Sequence, residues 1–209
     1  MGTQVKIGIT GGIGSGKSYV CQLLRQRGIE VYDCDSAAKR LMRTSPALRQ
    51  QLCQLIGPHA YTDSGPDKAA IATFLLASKD NARAINAIVH PAVARDFEQS
   101  GLRWMECAIM YESGFNRLVD KVVAVIAPLS TRIGRIVRRD HISPEKAREW
   151  IARQWPQERV AALADFKLHN GDGDSVALEL DRCLRALGAG QASGLADAAS
   201  KQQEEFINR

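Results

Sequence analysis

Gly11-Gly12-Ile13-Gly14-Ser15-Gly16-Lys17-Ser18 satisfies the pattern G-x-x-x-x-G-K-[ST] at every fixed position. Glycines let several backbone N–H groups converge on one anion more closely than side chains would allow. A helix starting near Lys17 would turn its positive end toward the same point. A nucleoside triphosphate such as ATP needs that combination, with Lys17 reaching the β- and γ-phosphates and Ser18 ligating Mg²⁺. A dinucleotide fingerprint is the competing reading. It fails because Gly12-Ile13-Gly14-Ser15-Gly16 closes one residue early and leaves Lys17-Ser18 unexplained. The pattern alone does not separate a GTPase, a motor ATPase and a small-molecule kinase.

Two further groups narrow the choice. Asp33-Cys34-Asp35 follows a short apolar run, and ligands of open α/β sheets gather at the carboxyl ends of strands. A carboxylate there could orient an acceptor hydroxyl and take its proton, although capping or turn-forming aspartates read the same way. Arg132, Arg135 and Arg139 fall at i, i+3, i+7, one face of a helix. Arginines on a mobile lid can neutralise a transferring phosphoryl group, and a solvated basic face is the plainer alternative. Thr131 to Arg159 holds eight Arg or Lys against four acids, most of the chain's net +5. Such a stretch handles either nucleic acid or a small, highly charged anion. Only Trp150 and Trp155 interleave it, which disfavours nucleic acid, and the absence of an N-K-x-D motif disfavours a GTPase.

These groups need elements to hold them. Val5 to Thr10 predicts a buried strand running into the glycines, and Lys17 to Arg27 a helix closed by Gly28. Ile29 to Tyr32, Glu106 to Met110, Lys121 to Ile126 and Phe166 to His169 predict four more strands. A basic helix opens at Thr131 and another helix at Ser143-Pro144-Glu145, and Ser175 to Leu187 predicts a closing helix. Between Ser36 and Trp104 the patterning is only helical, interrupted at Pro46, Gly57-Pro58, Asp63-Ser64-Gly65-Pro66 and His90-Pro91. That is far more than the dozen or so residues of a simple crossover. The expectation is an α/β fold with a mostly parallel five-stranded sheet flanked by helices. Residues 1–35 and 106–187 would form the nucleotide-binding core, 36–105 an inserted helical substrate domain, 130–160 a helical lid and 188–209 a loosely ordered tail.

At 209 residues one domain with an insertion is expected, monomeric or weakly homo-oligomeric. No apolar run approaches the ~20 residues of a membrane span, and no signal-peptide layout opens the chain. The five cysteines stand singly, which predicts a reducing, cytoplasmic setting and no disulfide framework. Cys34 stands apart from the others because it lies between two acids. No Cys/His cluster suggests zinc.

Gly8 to Ser18, Val31-Tyr32-Asp33-Cys34-Asp35 with Ala37-Ala38, and Val89-His90-Pro91 resemble the dephospho-coenzyme A kinase family. The likeness continues through Glu112-Ser113-Gly114, Arg135 to Asp140, Gln154, Ala164-Asp165 and Asn170, in the family's order over about residues 5 to 185. The resemblance implies a P-loop kinase using ATP and Mg²⁺ to phosphorylate the ribose 3′-hydroxyl of dephospho-coenzyme A, with no nucleic-acid or membrane partner. It implies catalytic roles for Asp35, Lys17 and Arg139. Gly12, Ile13, Gly14, Ser15, Gly16, Lys17, Ser18 and Tyr19 would contact the nucleotide, with Arg135 and Arg139 over it and Asn170 near the adenine. Asp33, Asp35 and His90 would face the acceptor, and Ser18 the metal. The chain departs from the family's habits at Tyr19, usually Thr, at Ala108-Ile109-Met110-Tyr111, commonly containing Pro-Leu-Leu, and at Lys167 and His169 in an aliphatic stretch.

Overall fold

The computed structural model describes residues 5–188. The expected tail therefore lies outside the described residues, apart from its first glycine. Five strands, β1 (Ile7–Thr10), β2 (Val31–Asp33), β5 (Trp104–Glu106), β6 (Lys121–Ile126) and β7 (Phe166–His169), form one parallel sheet. Their order is β2-β5-β1-β6-β7, so the glycine-rich loop leaves the central strand. A two-stranded hairpin, β3 (Tyr61–Thr62) and β4 (Gly65–Pro66), is separate and was not foreseen. Its Asp63-Ser64 turn joins strands too short to carry a period-2 pattern.

Alternation along the strands divides the apolar residues between two cores. Ile7, Ile9, Val31, Trp104, Val123, Val125 and Leu168 face α1 (Lys17–Gln26) and α9 (Val176–Ala186). Tyr32, Met105 and Val122 face the other way, into the helical segment. That segment consists of α2 (Cys34–Thr44), α3 (Pro46–Ile56), α4 (Lys68–Ala77) and α5 (Lys79–Ser100). Side-chain oxygens of Asp33, Ser45, Asp67 and Ser78 cap its four helices in turn.

Two expectations are corrected here. The third core strand is Trp104–Glu106 rather than Glu106–Met110. The apolar run Cys107 to Met110 is a turn that tucks Met110, fully buried, against Gly8, where an added Cβ would meet the Met110 sulfur at 2.5 Å. His90-Pro91 does not punctuate a helix either, because α5 continues through Pro91. An interior proline costs about 3 kcal/mol. Burial of Ile85, Val89, Val93 and Phe97 on one face of α5, at roughly 1.5–3 kcal/mol each, outweighs that cost.

After β6 come α6 (Leu129–Asp140), α7 (Pro144–Ala152) and α8 (Gln157–Leu163). Ile133, Ile136 and Ala147 form a small third core on which Ile13 of the glycine loop packs. Among the described residues no helix is long and apolar enough to cross a membrane.

Candidate active site

The glycine loop is shaped by close approach. Gly11, Gly14 and Gly16 have φ of 143°, 79° and 94°, a region that side-chain-bearing residues rarely adopt. A Cβ on Gly14 would also meet the Arg132 carbonyl oxygen at 2.7 Å, and one on Gly16 would collide with the Asn170 amide. Gly16 is the N-cap of α1 and offers no side-chain cap, so the first-turn amides stay available to an anion. Ser15 Oγ is buried with no hydrogen-bond partner. These features fit a bound triphosphate.

The loop is braced from behind by distant residues. Gln154 Oε1 accepts from the Ile13 amide at 2.7 Å, and Arg132 Nε donates to the Ile13 carbonyl at 2.9 Å. Asn170, 6% exposed, donates to the Ser15 carbonyl at 2.8 Å and accepts from Arg135 at 3.3 Å. Arg135 also reaches the Gly14 and Ser15 carbonyls, each at 3.4 Å. Arg132 and Arg135 of α6 thus point at the loop, whereas Arg139 on the same face is 62% exposed and makes no hydrogen bond to it. Arg132 is buried against it, and Arg135 and Arg139 line the cleft in front of it.

That cleft has a volume of about 890 Å³. Gly14, Gly16, Lys17 and Ser18 of the loop line it together with Asp33, Asp35 and Glu106, and Ile71, Ile85, Val89, His90 and Phe115 add mostly apolar lining. Lys17 Nζ lies 3.7 Å from Glu106 Oε1. Burial pulls the Lys17 ammonium below its usual range and pushes the Glu106 carboxyl above its own. Asp33 caps α2 by accepting from the Ser36 amide at 2.9 Å. Asp35, on the first turn of α2, pairs with Lys39 while its side chain stays 74% exposed. His90 stacks obliquely on Phe115, with ring centroids 5.2 Å apart, and burial lowers its pKa. Arg139 is paired with Asp140.

Not every expected residue faces the cleft. Tyr19 points outward from α1, 48% exposed, and is not among the lining residues. Gly12 and Ser15 belong to the loop's own framework, with Gly12 packed against Arg132 and Gln154. Glu106 was missed, and so were the bracing contacts of Arg132 and Gln154. Glu106 sits at a strand's carboxyl end, a signal hidden by the misplaced strand boundary. The Arg132 and Gln154 contacts span 119 and 141 residues, beyond any local pattern.

The family model described as "Dephospho-CoA kinase" matches residues 5–175. The chain belongs to the dephospho-CoA kinase family. A Bacteroides fragilis relative named dephospho-CoA kinase is 41% identical over 177 residues, covering 81% of this chain and 86% of the relative. One from Chlorobium luteolum with the same name is 36% identical over 212 residues, covering 94% and 96%. The crystal structure of TT1252 from Thermus thermophilus superposes with a TM-score of 0.76 at 30% identity, covering 92% of this chain and all of that one. The dephospho-CoA kinase family match extends across the glycine loop, the acid pair, His90, the α6 arginines and Asn170, so every cleft element described above lies inside it.

Proposed function

We propose that the protein transfers the γ-phosphoryl group of ATP to the ribose 3′-hydroxyl of dephospho-coenzyme A, yielding coenzyme A and ADP. The observation that carries this reading is the cleft itself, in which a phosphate-binding loop, apolar side chains and the acids Asp33, Asp35 and Glu106 line one space.

The loop amides and Lys17 hold the β- and γ-phosphates, where backbone donors on a rigid loop need no reorganisation during transfer. A Mg²⁺ ion bound beside Ser18 would supply neutralisation of the phosphate charge. Among the described residues no cluster of three or more His, Cys, Asp or Glu could hold a metal. Ser18, one or two carboxylates such as Glu106, and the substrate's phosphates would hold such an ion. Asp35 accepts a hydrogen bond from the 3′-hydroxyl and receives its proton as the bond to phosphorus forms. It must first exchange Lys39 for that hydroxyl. Asp33 keeps the turn that carries Asp35 in place through its cap.

Residues 36–105 form the acceptor-binding insertion in this reading, with His90 and Phe115 against the acceptor and the apolar wall taking its flexible arm. Residues 130–160 act as the lid. Arg139 exchanges Asp140 for the phosphoryl oxygens, and Arg135 transmits lid position to the loop. Asn170, whose amide is already committed on both sides, serves the nucleotide by bracing Ser15 rather than by touching the base. Closure would exclude water, so that the hydroxyl rather than solvent attacks. The five free cysteines suit the cytoplasm.

The test is ADP release from ATP and Mg²⁺ with and without dephospho-coenzyme A. Release that rises many-fold with the acceptor supports the assignment. Equal release in both, from protein that binds ATP, rejects it.

A further inference from the structure

Where α7 passes into α8, the chain is tied to separate parts of the fold. Gln154 Oε1 accepts from the Ile13 amide of the glycine loop at 2.7 Å. The next residue, Trp155, donates its amide to Glu112 Oε1 at 3.1 Å. Gln157 Oε1 accepts from the Ala127 amide, just past β6, at 3.0 Å. The Glu112 contact is the one that leaves the nucleotide side, reaching back 43 residues to the turn after β5.

That turn is a stiff piece. The Ser113 amide donates to the Ile109 carbonyl at 2.8 Å, the Asn116 amide to the Met110 carbonyl at 3.3 Å, and Met110 is fully buried. Ile109 and Phe115, on either side of Glu112, both line the cleft, and Phe115 carries the stacked ring of His90. Glu112 itself is not among the lining residues and has no part in the transfer chemistry. The Tyr111 ring lies within 2° of parallel to the Trp155 indole, centroids 6.5 Å apart, and the Arg159 guanidinium covers the indole at 3.4 Å. Those contacts hold the Trp155 side chain. The Glu112 carboxylate holds its backbone, at the peptide bond that joins it to Gln154. Because that bond is planar, fixing its N–H also sets where the Gln154 Cα lies.

We propose that Glu112 is a positioning residue for the phosphate loop. It sets Gln154 on Ile13 and, through the stiff turn, makes the loop respond to whatever packs on Ile109 and Phe115. The identity of that acceptor rests on the proposed function; the hold on the loop does not.

Without Glu112 the Gln154 peptide is free to turn, and the nucleotide must order the loop as it binds. Hydrogen bonds to a charged acceptor are stronger than neutral ones, and losing this one should cost on the order of tenfold in nucleotide affinity. An acceptor packed on Ile109 and Phe115 immobilises the turn, so part of that ordering is already done when the nucleotide arrives. By linkage the help is mutual, each ligand tightening the other by the same factor.

The test is calorimetric titration of the full chain with Mg²⁺ and a non-hydrolysable ATP analogue, alone and with saturating dephospho-coenzyme A. Wild type should bind the analogue on the order of tenfold tighter when the acceptor is present. Glu112→Ala should bind it on the order of tenfold more weakly and gain little from the acceptor, whose own affinity without nucleotide stays unchanged. Glu112→Gln keeps an oxygen for the Trp155 amide and should recover most of both losses. Glu112→Asp, with a shorter reach, should not, and it takes the place of the alanine variant if that one fails to fold. Added to Gln154→Ala, Glu112→Ala should weaken the analogue no further, because both act on one contact.

Wild-type analogue affinity in Glu112→Ala overturns the proposal, as does a glutamine variant as weak as alanine. So do additive losses in the double variant, equal weakening of analogue and acceptor, or a wild type whose bound acceptor leaves analogue affinity unchanged. Wild type that binds the analogue but not dephospho-coenzyme A rejects the assigned acceptor instead, and the analogue affinities of the variants then decide the role of Glu112.

Discussion

Lys17 Nζ and Glu106 Oε1 stand 3.7 Å apart, joining the first residue of α1 to the last residue of β5 across the floor of the cleft. Both side chains are shielded, 11% and 17% exposed, so each charge is costly without the other. The pair holds Lys17 facing the place where phosphates bind.

Glu106→Gln tests this pair through pH. Burial raises the folded-state pKa of Glu106 above its ordinary 4.5. Such a group stabilises fully below its unfolded value and loses that contribution as pH rises through the folded one. The nucleotide-free wild type should therefore lose stability as pH climbs from about 4.5 through this window, and the variant should lose less. Urea midpoints across pH would show it; parallel curves would refute the linkage. Loss of a group that orients Lys17 and shares in holding Mg²⁺ should also cost about 10- to 100-fold in activity.

Asn170→Ala removes a buried brace. The Ser15 carbonyl loses a donor at 2.8 Å and Arg135 loses an acceptor at 3.3 Å. Unsatisfied buried polar groups cost about 1–3 kcal/mol. Chemical denaturation should report a loss of that size, and the KM for ATP should rise more than the KM for the acceptor. Weakening of the acceptor alone would move Asn170 out of the nucleotide half.

His90→Ala should do the opposite. His90, on α5, lines the cleft stacked on Phe115 and beside the apolar Ile85 and Val89. Steady-state kinetics should give an acceptor KM about tenfold higher, corresponding to about 1.4 kcal/mol, with the KM for ATP little changed. Because burial holds His90 below its usual pKa, the imidazole is neutral near pH 7, and acceptor binding should weaken only on acidification. Equal losses for both substrates would place His90 in a structural role.

How much of this was legible before the fold was known follows from the range of each interaction. The glycine loop, the strand before it and the helix after it are contiguous, and their chemistry is written in adjacent residues. Asp33 and Asp35 were locatable because they end an apolar run. Cys107 to Met110 misled because burial of Met110 in a turn leaves the same apolar signature as a strand. Pro91 misled because helix propensity is local, whereas Val93 and Phe97 bind α5 to a core made elsewhere. Arg132, Gln154 and Asn170 meet the loop from 119 to 155 residues away, so only the folded chain could show that they converge there.

The most direct measurement of the central claim follows the phosphate itself. Wild type and Asp35→Asn would be given ATP labelled in the γ-phosphoryl group, Mg²⁺ and dephospho-coenzyme A, and the product's phosphate located by NMR. The account predicts label on the ribose 3′ position in the wild type. In Asp35→Asn it predicts a rate about 10²- to 10⁴-fold lower, the range for loss of a positioned proton acceptor, with ATP binding intact. Label transferred only to water, or an Asp35→Asn protein as active as wild type, would contradict it.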